Sequence, residues 1–299
     1  MDQEIYCLYH SRDLDGYTSG AVVKLKYPSA TLIGYDYGEP MPDIPANCPI
    51  IIIDVSFSMP DMLKLSKLSG GQLTWIDHHA SAIKAYNEFM VGKEPFMTAV
   101  LEDGVAACEG GWKHFFPGEK MPTAILLLGE YDTWRNQDEK RWNDIILPFQ
   151  FGMRMICDSP ETFPKRFIDG VSDPSYFDVV EQGKTVLLYQ AQLNKQQCKR
   201  SFEIEFKGLR AICLNGGGFN SDVFKSVYDE SKHDLMMPFQ YDGKDSWVVS
   251  LYTTKAEVDC STLAKSMGGG GHKKAAGFQV ADINTIIKAE FNLPEHFGN

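Results

Sequence analysis

Hydrophobic residues are distributed differently in the two halves of the chain. In the first hundred residues they form short dense runs, each closed by polar residues. Ile5-Tyr6-Cys7-Leu8-Tyr9, Thr31-Leu32-Ile33-Gly34-Tyr35, Ile50-Ile51-Ile52-Ile53 and Leu73-Thr74-Trp75-Ile76 are rich in β-branched and aromatic residues and predict strands. Four successive isoleucines predict a strand covered on both faces, as in a parallel sheet. Tyr17–Tyr27 and Pro60–Leu68 predict the intervening helices, the second with proline near its first turn and Gly70-Gly71 ending it. Alternating strand, loop and helix is the entry to an α/β domain. Gly104–His114 predicts a helix broken at its paired glycines. Thr123–Gly129 and Asn143–Met155 predict two more helices.

Beyond residue 156 the pattern becomes more polar. Asp158-Ser159-Pro160-Glu161 predicts a helix start, Asp173-Pro174-Ser175 a break, and Phe177–Lys199 a long helix joining two domains. Ser201–Phe206, Leu209–Leu214, Ser246–Tyr252 and Gly277–Val280 predict strands. Asn215–Ser221 predicts a glycine-rich turn before a helix at Asp222–Glu230, and Asp259-Cys260-Ser261 opens a helix through Met267.

Length and composition narrow the possibilities. The 299 residues suit two domains, and a 43% hydrophobic content can fill real cores. No stretch approaches the ~20 apolar residues of a membrane span. The N-terminus lacks the basic start and apolar core of a signal peptide, so a cytoplasmic protein away from membranes is expected. Seven scattered cysteines have neither knuckle nor redox-pair spacing and read as reduced and structural. A net charge of -11 argues against tight binding to long duplex nucleic acid, though not against a short phosphorylated substrate. Some of that charge can be carboxylate that holds cations.

The candidate chemistry lies where the strands end. Three apparent exits carry His10, Asp13 and Asp15, then Asp54, then Asp77, His78 and His79. Each has an ordinary reading alone: a helix cap and turn aspartate, or a pair of loop histidines. Asp132, after the apolar Thr123–Gly129, reads alone as a helix-end cap. Three exits together imply a convergent carboxylate–imidazole site, with ligand types suited to Mn²⁺, Mg²⁺, Fe²⁺ or Zn²⁺ and no cysteine placed to join them.

The ordered set His10…Asp13-Leu14-Asp15-Gly16, Asp54, Asp77-His78-His79 and Asp132, followed by Gly268-Gly269-Gly270-Gly271-His272, resembles the DHH phosphoesterase superfamily. It is most similar to the DHH–DHHA1 branch that includes the short-oligoribonucleotide hydrolases. The resemblance implies an α/β fold with a parallel-sheet DHH domain over 1–156, a helical connector over 157–200 and a smaller α/β DHHA1 domain over 201–299, with a cleft between the domains. It implies two divalent ions, Mn²⁺ first, with Mg²⁺, Fe²⁺ or Co²⁺ as alternatives. His10, Asp13 and Asp54 would hold one; Asp15, Asp54, His78 and Asp132 would hold the other. Asp77 would orient an imidazole and His79 would face the scissile phosphate. Gly269, Gly270, Gly271, His272 and Tyr252 would bind substrate. Two departures stand out. His10 lies three residues before Asp13, where relatives commonly keep an even spacing. Tyr252 replaces an arginine of many relatives; it can stack on a base but cannot pair with phosphate bidentately, and Lys255 is the nearby substitute cation. The implied activity is hydrolysis of short oligoribonucleotides, compatible with a homodimer. The alternatives are a phosphomonoesterase on a nucleoside 3′,5′-bisphosphate, a cyclic (di)nucleotide phosphodiesterase, an exopolyphosphatase and a non-catalytic nucleotide sensor.

Overall fold

The computed structural model describes residues 4–169 and 173–287. The chain forms two compact units, Met1–Leu187 and Leu188–Asn299. Among the described residues no helix is long and apolar enough to cross a membrane.

The first unit is built on β1 (Tyr6–His10), α1 (Leu14–Lys26), β2 (Thr31–Tyr35), β3 (Ile50–Ile53), α2 (Met59–Leu68), β4 (Leu73–Asp77), α3 (Ala80–Met90) and β5 (Thr98–Leu101). α4 (Ala107–Phe115) and α5 (Thr123–Asp132) follow. α6 (Glu139–Arg141) then runs through a π-helical turn, Trp142–Ile146, into α7 (Leu147–Met153). The five strands form a parallel sheet in the order β2-β1-β3-β4-β5. Alternation across the pleat explains the isoleucine run. Ile50 and Ile52 pack with Leu8 and Trp75 on one face, while Ile51 and Ile53 pack with Cys7, Tyr9 and Ile76 on the other. Both faces are covered, so every residue of β3 is buried.

The register places the site. Tyr9 stands opposite Ile53, and Ile53 opposite Ile76. The next residues, His10, Asp54 and Asp77, therefore leave the sheet at one level and at one edge. This is the carboxyl edge, where open parallel sheets place their ligands.

Several boundaries differ from expectation for identifiable reasons. α1 starts at Leu14 rather than Tyr17, because the Asp13 side chain caps it by accepting from the Gly16 amide at 2.9 Å. α4 runs unbroken through Gly110-Gly111. There a Cβ would lie 3.2 Å from Ile76 Cγ2 and 2.9 Å from Ile53 Cδ1, so the glycines serve close helix–sheet packing. α3 and β5 were not expected. The 158–169 stretch forms turns and a short 3₁₀ helix, Lys165–Phe167, instead of the expected helix.

The long helix α8 (Tyr176–Gln197) holds the boundary between the units. The second unit contains β6 (Phe202–Phe206), β7 (Leu209–Asn215), β8 (Leu235–Tyr241), β9 (Trp247–Tyr252), α9 (Cys260–Lys265), β10 (Gly270–Gly271) and β11 (Ala275–Val280). They make one mixed sheet in the order β10-β11-β9-β8-β7-β6, in which only β7 and β8 pair in parallel. β8 was unexpected, and the helix expected at 222–230 is a 3₁₀ turn, Ser221–Ser226.

Gly16, in the first turn of α1, packs on the end of β1. A Cβ there would lie 1.8 Å from the His10 carbonyl oxygen, and backbone yields less easily than a side-chain tip. Gly16→Ala is expected to lower stability by ~1–3 kcal/mol, the usual range for overpacking, measured by urea denaturation. Unchanged stability would show that the β1–α1 junction is slack.

Candidate metal centre

The shared sheet edge brings eight of the expected residues together. His10 Nδ1 lies 3.0 Å from Asp13 Oδ2 and 3.6 Å from Asp54 Oδ2. His78 Nε2 lies 3.3 Å from Asp54 Oδ1, 3.3 Å from Asp132 Oδ2 and 3.5 Å from Asp15 Oδ2. Asp54 thus turns one carboxylate oxygen to each group. Donor atoms bound about 2.1 Å from one ion stand about 3.0–3.4 Å from each other, by simple octahedral or tetrahedral geometry. The observed spacings are of that order. His10, Asp13 and Asp54 form one set able to hold a metal, and Asp15, His78 and Asp132 another.

Each side chain is fixed by its own local structure. Asp13 caps α1. Asp15 is buried and accepts from the Ala107 and Cys108 amides at 2.9 and 2.8 Å, so the free N–H groups of α4 hold its two oxygens. Asp132 is the last residue of α5. Asp54 is buried and has φ of 62°, a left-handed conformation that a side chain rarely adopts. Strain of this kind persists only where the surroundings over-determine it, and functional sites are where it gathers.

Asp77 is engaged differently. Its Oδ1 accepts from the amides of His78 at 2.7 Å and His79 at 3.1 Å, and lies 2.7 Å from His79 Nδ1. One oxygen therefore ties the turn and the His79 ring together. Asp54, Asp77, His78 and His79 also fall within a third group of nearby donor atoms.

The donor set fits a cation on two further observations. His10 Nδ1, Asp54 Oδ2 and Asp77 Oδ2 are buried without a hydrogen-bond partner, which is rare for polar atoms in proteins. The electrostatics point the same way. Burial raises Asp54 and Asp132 to about 7, with help from neighbouring carboxylates, and raises Asp15 well above the carboxylate range. The Asp13 carboxylate beside its ring is the main reason His10 is raised to about 10, and the hydrogen bond to Asp77 the main reason His79 is raised to about 9. Burial alone would raise Asp13, yet the His10 ring and the Gly16 amide hold it below its usual value. This is a pocket of excess negative charge that takes up protons in place of other cations.

Three residues near the site were not anticipated. Asp36 follows β2, and its Oδ1 lies 3.6 Å from His10 Nε2. It repeats the strand-then-acid signal, which could have found it. Arg12 is exposed and donates to Asp36. Buried Glu109 accepts from Arg135, just beyond Asp132, and from the Ala106 amide at 3.2 Å, so it joins the start of α4 to the end of α5. No periodicity marks that pair.

In the second unit the tetraglycine divides into separate tasks. Gly268, at φ 81°, ends α9: its amide bonds to the Lys265 carbonyl and the Gly269 amide to that of Ala264. A Cβ on Gly269 would lie 2.1 Å from the Gly277 carbonyl oxygen, and on Gly271 2.5 Å from Ala276 Cα. Gly270 is exposed, and nothing lies within 4 Å of the place its Cβ would take. His272 and Lys273 beside it are exposed. Tyr252 is half-buried against the cluster of Ile212, Leu214, Val223, Phe224 and Met236. Lys255 pairs with Asp234 at 2.6 Å, so it is not a free substitute for arginine.

Similarity to known proteins extends along most of the chain. No family model matches it. The oligoribonuclease NrnB of Bacillus subtilis is 24% identical over 310 residues, which cover 93% of this chain and 73% of NrnB. The uncharacterized protein R106 of Acanthamoeba polyphaga mimivirus is 21% identical over 314 residues, covering 97% of this chain and 70% of R106. The solved structure of the pGpG-specific phosphodiesterase PggH of Vibrio cholerae matches with a TM-score of 0.56 at 13% identity, over 95% of each chain. A DHH-domain structure described as a member of the s1p family of ribosomal proteins matches with a TM-score of 0.51 at 15% identity, over 92% of this chain and 82% of its own. These similarities support the resemblance to the DHH phosphoesterase superfamily, and the likeness to the DHH-domain structure shows the fold. The Asp-His-His triad on which that resemblance rests is Asp77-His78-His79, starting at the last residue of β4.

The proton uptake gives a signed prediction. Asp54 and Asp132 rise from 3.8 to about 7 on folding, so the folded chain binds more protons and its stability falls as pH rises from about 4 to 7. His10 and His79 rise from 6.5 to about 10 and about 9, so their contribution is present below 6.5 and is lost as pH rises through those values. With EDTA, Tm should fall from about pH 5 to pH 9. The Tm increase on adding Mn²⁺ should grow over the same interval, because the ion replaces the protons. A Mn²⁺ effect that is independent of pH would show that these groups do not compete for it.

Proposed function

We propose that the chain is a phosphodiesterase that hydrolyses short oligoribonucleotides with two divalent cations, Mn²⁺ first among them. The observation that carries this reading is Asp54, whose two oxygens face two separate sets of donors. His10, Asp13 and Asp54 would hold one ion; Asp15, Asp54, His78 and Asp132 would hold the other. When bound, such ions supply an acidified water and neutralise charge on the phosphoryl group.

The chain's own side chains do the rest. Asp77 holds the His79 ring through Nδ1 and favours its charged form. The Nε2–H of that ring is then the donor for a phosphoryl oxygen. In the second unit, nothing lies within 4 Å of the place a Gly270 Cβ would take, which leaves that side of the turn open to a ligand, with His272 and Lys273 as side-chain donors to a substrate phosphate. Gly269 and Gly271 support this role by shaping the turn, and Tyr252 offers an aromatic face in place of an arginine. The net charge of -11 favours a short substrate over a long duplex. Seven free cysteines, six of them buried, fit a cytoplasmic location.

The test is a substrate panel with Mn²⁺: di- to pentaribonucleotides, a nucleoside 3′,5′-bisphosphate, cyclic dinucleotides and polyphosphate, run on wild type and on Asp54→Ala. Wild type is expected to cleave the short oligoribonucleotides with the highest kcat/KM, and Asp54→Ala to show no turnover above background. Preference for another member of the panel would refute the substrate assignment. Wild-type-like turnover in Asp54→Ala would refute the shared carboxylate.

A further inference from the structure

We propose that the indole of Trp134 is a stacking platform for a nucleobase of the substrate, a binding element beside the Asp15, His78 and Asp132 group. The inference deepens the oligonucleotide reading and rests on it.

The first observation is conformational. α5 ends with the Trp134 amide donating to the Tyr131 carbonyl at 3.1 Å and the Arg135 amide donating to the Glu130 carbonyl at 2.9 Å. That pair of bonds is the glycine-type helix stop, and Trp134 occupies its left-handed position, with φ of 55°. The same stop at the end of α9 uses Gly268, at φ 81°. A large aromatic residue in this conformation is strained, and glycine would relieve the strain.

Packing does not account for the tryptophan. The residue is 62% exposed, among the most exposed large apolar residues of the first unit. Tyr131 and Trp142 stack on each other at 5.6 Å with an interplanar angle of 8°. Trp134 meets them obliquely, at 6.2 and 5.0 Å with angles of 61° and 60°, so it touches the stack without completing it. The residue after it is held by the Arg135–Glu109 pair, which fixes the backbone from which the indole projects.

Position supplies the third observation. Trp134 is two residues past Asp132, so their Cα atoms are within about 7 Å by chain length alone. An exposed aromatic face at that distance from a phosphate-directed site matches a nucleotide, whose base lies one sugar away from its phosphate. Stacking is tolerant of base identity, because every base has a π-face.

The test compares wild type, Trp134→Gly and Trp134→Phe on a diribonucleotide and on two versions of it, each lacking one base. Trp134→Gly should keep or raise Tm, since glycine is at home at this stop. Its kcat/KM on the intact dinucleotide should fall about 5- to 150-fold, most of it in KM, as loss of one base stack predicts. Removing the stacked base should weaken wild type by a similar factor and Trp134→Gly by much less. Trp134→Phe should recover part of the loss. Unchanged KM in Trp134→Gly, with wild type fully active, would overturn the stacking role alone. Wild type inactive on every dinucleotide would instead overturn the oligonucleotide reading beneath it.

Discussion

Buried negative charge is the constraint on which the first unit depends. Asp15 and Asp54 are almost fully buried, with Asp13 and Asp132 close by, and the neighbouring imidazoles of His10, His78 and His79 offset their mutual repulsion only in part. Arg12 and Arg135 are already engaged, with Asp36 and with Glu109. Burial of carboxylates at such density is expensive unless they are protonated or bind positive ions. The fold nevertheless holds them rigidly, with two amides of α4 on Asp15, a helix cap at Asp13 and a left-handed backbone at Asp54. A chain selected for stability alone would not keep this arrangement.

The site was legible in the sequence because it lies where the strands end. The strand runs of β1, β3 and β4 are dense, and each is followed at once by an acid or histidine. In a parallel sheet those exits must meet at one edge, so convergence followed from pattern alone. The His10 spacing, a departure from relatives, is absorbed by local geometry: Asp13 caps α1 and still turns Oδ2 to the imidazole. What was missed lacked such a signal. β5 is four residues long and partly buried, and α3 has a single buried residue, so neither shows a strong period. The Glu109–Arg135 pair joins positions 26 apart, and a helix stop built on tryptophan contradicts the preference that sequence reading relies on. Such violations of local rules are expected at functional sites.

The glycine-rich stretch shows how one motif can serve two purposes. Gly268, Gly269 and Gly271 are required by the helix stop and by contact with β11, so the fold alone accounts for them. Gly270 is different, because no neighbour forbids a side chain there. The same distinction separates Trp134 from the aromatic residues behind it: Tyr131 and Trp142 are explained by their stack, Trp134 is not. Residues that packing does not explain are where a ligand is to be sought, and both lie on segments the resemblance links to nucleotide chemistry.

The account stands on two ions sharing Asp54, and the most direct measurement is anomalous diffraction at the manganese edge from crystals grown with Mn²⁺. Two peaks are predicted about 3.5–4 Å apart, the usual separation in two-metal sites, one against each oxygen of Asp54. A single peak, or two peaks of which only one contacts Asp54, would contradict it.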